Sequence, residues 1–268
     1  VDNPRRWHTE NIRENRHHYS LLAGFGGAAV AACAERIGAG VHFNTLVPWR
    51  QEVIKYGVIR TDRLAEDLTS WDSLYVGGRL HKPVVTLVAD ADIAVAAATN
   101  CSSALRAALL LLPSAFSTEE LLRTICGLSY AGDVRMGIAE DGGKVAKIVE
   151  GSRAGLMALY EGPLTTHARP AEPSETQQGS GGEAPPLLAV EQTHSGHWTQ
   201  ADDHSSRVGV FSLLPRTVVL QVGGMLGLRG QPAEVVAEEA VRSGRHRPLL
   251  AAALATIVRR SSARQAAA

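Results

Sequence analysis

The chain has 268 residues, and Lys+Arg and Asp+Glu both total 27, so it carries no net charge near neutrality. That balance, with only four Trp, five Tyr and four Phe, disfavours a nucleic-acid-binding module, which needs a basic stripe or a stacking platform. Cys33, Cys101 and Cys126 stand apart with no CxxC pair, and the ten histidines show no HExxH spacing. These spacings argue against a disulfide framework and a zinc site, and for a reducing compartment.

Asn3-Pro4 reads as a helix start, Asn3 as cap and Pro4 in the first turn, with the helix carrying Trp7 and Ile12 to about His17. An Ala-rich second helix is expected over 28–36, ending at Gly38. Residues 41–47 form a β-rich run that would set Val41, Phe43, Thr45 and Val47 on one face, and 52–59 is a second strand. A short helix follows from Thr61-Asp62 through Leu68, and 74–76 and 84–88 offer further strand material around Gly77-Gly78. A long helix is predicted over 94–112, stopped by Pro113. Ser117-Thr118-Glu119-Glu120 has the spacing of a capping box, with Leu121, Leu122, Ile125 and Cys126 as the apolar face behind it. Residues 143–160 are helical again, burying Val145, Ile148, Val149, Leu156 and Leu159.

The order to this point predicts an α/β fold, a mixed sheet with flanking helices over 1–90, followed by a helical unit over 91–162. Residues 163–210 are rich in Pro, Gly and Ser and lack an apolar pattern, so a disordered insertion without chemistry is expected there. Helices resume over 216–226, 232–243 and 248–259 in a C-terminal region, 211–268. No uninterrupted apolar run reaches the ~18 residues of a membrane span, so a soluble or peripheral protein is expected; no targeting segment is visible. After Glu239 the chain has no acid, while Arg242, Arg245, Arg247, Arg259, Arg260 and Arg264 follow. Such a tail suits an anionic membrane surface or lipid, or is simply a solvated helix end.

The stretch most suggestive of chemistry is Leu74-Tyr75-Val76-Gly77-Gly78-Arg79-Leu80-His81-Lys82-Pro83. Glycines allow a backbone to approach a ligand closely, and an Arg and a Lys supply a fork and a point charge for phosphate oxygens. A surface turn bearing two solvated cations would read the same way. The company of this stretch narrows the choice. Lys55-Tyr56-Gly57-Val58-Ile59 lies upstream, Trp71-Asp72-Ser73 runs into it, and two strings follow: Gly127-Leu128-Ser129-Tyr130-Ala131-Gly132-Asp133-Val134-Arg135-Met136 and Ile257-Val258-Arg259-Arg260-Ser261-Ser262-Ala263-Arg264-Gln265. In this order they resemble the mitochondrial translocator assembly and maintenance family of phosphatidate cytidylyltransferases, from about Asp2 to Tyr160 and again from Leu213.

The resemblance implies a nucleotidyltransferase-like fold that joins CTP and phosphatidic acid to give CDP-diacylglycerol and pyrophosphate for cardiolipin synthesis. It also implies a peripheral location on the matrix side of the mitochondrial inner membrane, and Mg²⁺ held by a few carboxylates. Arg79 and Lys82 match the family's Gly-Arg-Leu-x-Lys-Pro string and would bind phosphate. Lys55 would reach the same pocket, or be a strand-edge charge. Asp133 and Arg135 would act catalytically and bind substrate, or simply pair on a turn. Asp2 would be catalytic and a metal ligand, or an ordinary turn residue before Asn-Pro. The Gly-Ser loop and paired acids expected at the start of such a domain are not in this sequence, so a truncated start and little activity are expected of the chain alone. Two alternatives remain at this level: a non-catalytic membrane-associated scaffold, and a nucleotidyltransferase with another acceptor.

Overall fold

A computed structural model describes residues 1–134, 143–167, 190–194 and 196–267. The N-terminal part begins with α1 (Pro4–Glu14), whose cap Asn3 accepts the backbone N–H of Arg6 at 3.1 Å. Two short 3₁₀ turns, Arg16–His18 and Leu21–Phe25, lead to α2 (Gly27–Arg36). Strands β1 (Val41–Trp49) and β2 (Glu52–Ile59) form an antiparallel hairpin. Its register slips between Asn44 and Val47, where Leu46 takes φ 55°. That bulge inserts one residue and breaks the two-residue alternation. Val47 therefore joins Asn44 on one face, Val41 is buried on the other beside Phe43 and Tyr75, and Thr45, expected on the buried face, is exposed.

After α3 (Thr61–Ser70) the structure departs from the sequence reading. Residues 74–76 and 84–88 are not strands: the first lie in a series of turns, and the second have no regular structure. The sheet is accordingly a two-stranded antiparallel hairpin and not a mixed one. The long helix α4 (Ala91–Leu111) is capped by Asp90, which accepts from Ile93 N–H at 3.0 Å. By length and composition α4 could cross a membrane, but 56% of its apolar window is buried inside the protein, as in a core helix. Interruptions by Asn100, Ser102 and Ser103 hid that length from a search for unbroken runs.

A short strand, β3 (Ala115–Ser117), leads to α5 (Thr118–Gly127), which opens with the expected capping box. Leu121, Leu122, Ile125 and Cys126 are all buried behind it. Helix α6 (Lys144–His167) follows, interrupted at Ser152 and carrying Pro163. The stretch expected to lack order is partly structured. Strands β4 (Val190–His194) and β5 (His197–Gln200) join β3 in an antiparallel sheet of order β3-β5-β4, and α7 (His204–Ser212) follows. Val190, Val210 and Phe211 are buried in the main core, and that apolar burial supplies what the composition hid. The remainder of that stretch, 168–189 and residue 195, lies outside the described residues.

Helices α8 (Arg216–Met225), α9 (Ala233–Arg242) and α10 (His246–Ala267) complete the chain. The main core runs through α4, α5, α6, α8 and α10 and includes Trp71 and Leu74. A boundary near residue 90 is thus crossed by a shared apolar core.

Candidate phosphate-binding site

The turn over 71–82 is built on one carboxylate. Asp67, buried on α3, accepts the backbone N–H groups of Ser73 and Leu74 on Oδ1 (2.9 and 2.7 Å), and those of Val76 and Gly77 on Oδ2 (3.0 and 2.8 Å). The Ser73 hydroxyl also donates to Oδ1 at 2.8 Å. A carboxylate that collects donors in this way holds Trp71 and Leu74 in the left-handed region, at φ 56° and 53°. Asn100 of α4 secures the far side: its Nδ2 donates to the Gly77 carbonyl at 2.9 Å. Its Oδ1 accepts from Trp71 Nε1 at 2.8 Å and from His81 Nε2 at 3.1 Å. Burial, with Lys82 adding to it, holds His81 down at about 3, so the ring is neutral and Nε2 carries the proton.

Gly78 is needed for space and not for ligand approach. A Cβ there would stand 2.2 Å from the Ser129 Cβ and 2.7 Å from the Leu74 carbonyl oxygen. Gly78 therefore brings the turn against the start of the loop after α5. Across that contact Lys82 Nζ donates to the Gly78 carbonyl (2.5 Å) and the Ser129 hydroxyl (3.0 Å), and lies 5.0 Å from the Tyr130 ring centroid. Burial pulls the Lys82 ammonium down to about 8, Cys126 acting against the fall and Arg79 and Lys144 adding to it. A buried ammonium lowered further by neighbouring cations marks a place where an anion is stabilised.

The resulting cleft, of about 50 Å³, is lined by Tyr75, Arg79, Lys82, Ser129, Tyr130 and Asp133, with Lys144 from α6 and Ser261 and Ser262 from α10. Gly132, at φ 74°, lays the loop on α10, where a Cβ would meet the Ala255 carbonyl at 2.8 Å. Val134 N–H then donates to the Ser262 hydroxyl at 3.4 Å. Arg79 sits at the exposed mouth, its guanidinium 4.9 Å from the Tyr75 ring, donating to the Tyr75 hydroxyl at 3.2 Å.

Of the residues singled out from sequence, Arg79, Lys82 and Asp133 come together here. Lys55 does not line the cleft but borders it: its Nζ lies 4.2 Å from the Phe43 ring, which Arg79 also approaches at 5.6 Å. Arg135 lies outside the described residues. Asp2 is elsewhere, in a shallow cleft with Arg60, Thr61, Asp62, Asp90 and Asp92, and accepts from the Thr61 hydroxyl at 3.0 Å. Among the described residues no three carboxylate, His or Cys side chains are grouped to hold a metal ion. Sequence reasoning missed Ser129 and Lys144 as site residues, and quoted Ser261 and Ser262 without placing them. Membership of the quoted strings could have marked Ser129, Ser261 and Ser262, whereas Lys144 lies outside them and had no such signal.

Comparison with known proteins bears on what this cleft serves. The profile of the family described as mitochondrial phosphatidate cytidylyltransferase matches residues 1–268. The chain belongs to this family. Three relatives bear the name mitochondrial phosphatidate cytidylyltransferase. The protein from Bos taurus is 38% identical over 99% of this chain and 74% of its own length. That from Danio rerio is 40% identical over 88% of this chain and 64% of its length. That from Homo sapiens is 36% identical over 99% of this chain and 55% of its length. Phosphatidate cytidylyltransferase chemistry handles two anions, a nucleoside triphosphate and a lipid phosphate, and the cations of the cleft are of the right kind for either.

Proposed function

We propose that this chain acts as a CTP:phosphatidate cytidylyltransferase, and that the cleft around Lys82 holds the phosphates on which the reaction turns. A phosphate oxygen of phosphatidate attacks the α-phosphorus of CTP, the bond from the α-phosphorus to the β-bridging oxygen breaks, and pyrophosphate leaves with CDP-diacylglycerol as product. Such transfer is mostly positioning and charge neutralisation. The observation that carries the reading is the convergence of Arg79, Lys82 and Lys144 with the hydroxyls of Ser129, Ser261 and Ser262. Arg79 offers a fork at the mouth, and half-buried Lys82 a point charge where water screens little. The hydroxyls add neutral donors that can turn to suit the bound oxygens.

A nucleotidyltransferase-like fold for 1–90 and a peripheral place on the matrix side of the inner membrane belong to the same reading. So does a supply of CDP-diacylglycerol to cardiolipin synthesis. Exposed Arg259, Arg260 and Arg264 on α10 support contact with an anionic surface. Mg²⁺ is expected with CTP, but the described residues do not fit a protein site for it: Asp133 is one carboxylate among cations, and Asp2 lies in another cleft.

The reading is tested by incubating the chain with CTP and Mg²⁺ and either phosphatidate or glycerol 3-phosphate as acceptor. CDP-diacylglycerol formed by the wild type, with loss of about tenfold or more in Lys82→Ala, is the expected result. Equal transfer to glycerol 3-phosphate would favour another acceptor. Turnover untouched by Lys82→Ala would move the chemistry away from this cleft.

A further inference from the structure

Lys82 lines two cavities. Besides the polar cleft, it borders an apolar groove of about 810 Å³ lined by Leu80, Pro83, Ala94, Ala97, Ala98 and Leu159. Pro83 is pressed onto α6, since a Cβ on Gly155 would meet its Cγ at 2.8 Å. From there the chain runs out as Val84-Val85-Thr86-Leu87-Val88, uncharged between Lys82 and Asp90. Val84, Val85, Leu87 and Val88 are 59, 85, 90 and 87% exposed. Four large apolar side chains within five residues, all offered to water, mark an interaction surface.

We infer that the groove receives an acyl chain of a phosphatidate molecule, its phosphate at Lys82 and Arg79, while residues 84–88 rest in the bilayer from which the lipid is drawn. This rests on the reading of the chain as acting on phosphatidate. Two observations select that occupant. Lys82 lines both the groove and the cation cleft, so a ligand with an anionic head and a hydrocarbon tail can place one on each side of that residue. The exposed apolar segment lies at the same junction, where lipid leaving a membrane would first meet the protein. A free nucleotide or soluble phosphate would use the cleft and leave the groove and 84–88 in water.

The test compares three probes by calorimetry and vesicle flotation: glycerol 3-phosphate, dioctanoyl phosphatidate, and vesicles of equal parts phosphatidylcholine and phosphatidate. Wild type should bind dioctanoyl phosphatidate at least about tenfold more tightly than glycerol 3-phosphate, since burying even two methylenes supplies that factor. Ala98→Trp fills the groove from an exposed position and should abolish that difference while leaving glycerol 3-phosphate binding unchanged. The double variant Val85→Asp/Leu87→Asp, also at exposed positions, should lose flotation and keep glycerol 3-phosphate binding. Equal affinity for the two soluble probes, or an acyl advantage surviving Ala98→Trp, would overturn the groove assignment. Undiminished flotation of the double variant would overturn the membrane role of 84–88. Failure of the wild type to bind any phosphate probe would instead overturn the phosphate reading beneath the proposal.

Discussion

At the scale of single residues the site depends on Lys82, whose ammonium burial draws down from 10.5 to about 8. The sign of the pH dependence follows. Below about 8 both folded and unfolded chains carry the charge, and the folded state bears the full desolvation cost. Between about 8 and 10.5 the unfolded chain binds more protons, so this residue makes stability rise with pH across that window. Affinity for a phosphate ligand should move the other way, falling as the ammonium is lost above about 8. Denaturation midpoints and phosphate affinities measured at pH 7 and pH 9.5, in wild type and Lys82→Gln, would show opposite slopes that vanish in the variant. Gly78 gives a second test. A methyl group 2.2 Å from the Ser129 Cβ has no room, so Gly78→Ala should lose about 1–3 kcal/mol and weaken phosphate binding together, read by urea titration and calorimetry. Unchanged stability would mean that the turn does not pack on Ser129 as described.

At the scale of elements, the 71–82 turn takes its shape from α3 and not from its own residues. Asp67 satisfies four backbone N–H groups and one hydroxyl that have no strand partner. Asp67→Ala leaves those donors buried and releases two left-handed residues, and about 3 kcal/mol or more of stability should go with it. Chemical denaturation that shifts by under about 1 kcal/mol would contradict this role. The same element explains what was legible in the sequence. Gly-Gly-Arg-Leu-x-Lys could be read as a phosphate turn because the charge types announce it, whereas Asp67 is an unremarkable acid on a helix until its backbone partners are seen. Strands were expected at 74–76 and 84–88 because β-branched and aromatic residues suggest them, but the turn's amides are claimed by a carboxylate and 84–88 is offered outward. The helices α4, α5 and α6 were legible because their caps and apolar spacing are local. The β3-β5-β4 sheet was not, since β3 pairs with residues some eighty positions on, and no local pattern encodes that partner.

At the scale of the whole molecule, the cleft is assembled from the 74–82 turn, the 129–133 loop, the start of α6 and the second half of α10. A core shared by Trp71, Leu74 and the helices holds these segments together. Such a site exists only in the folded chain, so a phosphate ligand must stabilise the fold as a whole, by about 2.7 kcal/mol at a hundredfold excess over Kd. Asp2 shows the converse. It read as a site residue because the family match ran through it, yet the fold places it beside Thr61 and Arg60, in a different cleft from Arg79, Lys82 and Lys144.

The most direct measurement is a calorimetric titration of glycerol 3-phosphate and of CTP into the wild type, Lys82→Ala, Arg79→Ala and, as control for the Asp2 cleft, Arg60→Ala. Binding that drops by about tenfold or more in the first two variants, weakens with salt and is unchanged in Arg60→Ala is what a phosphate cleft at Lys82 requires. Wild-type binding that survives Lys82→Ala and Arg79→Ala, or that is lost instead in Arg60→Ala, would contradict it.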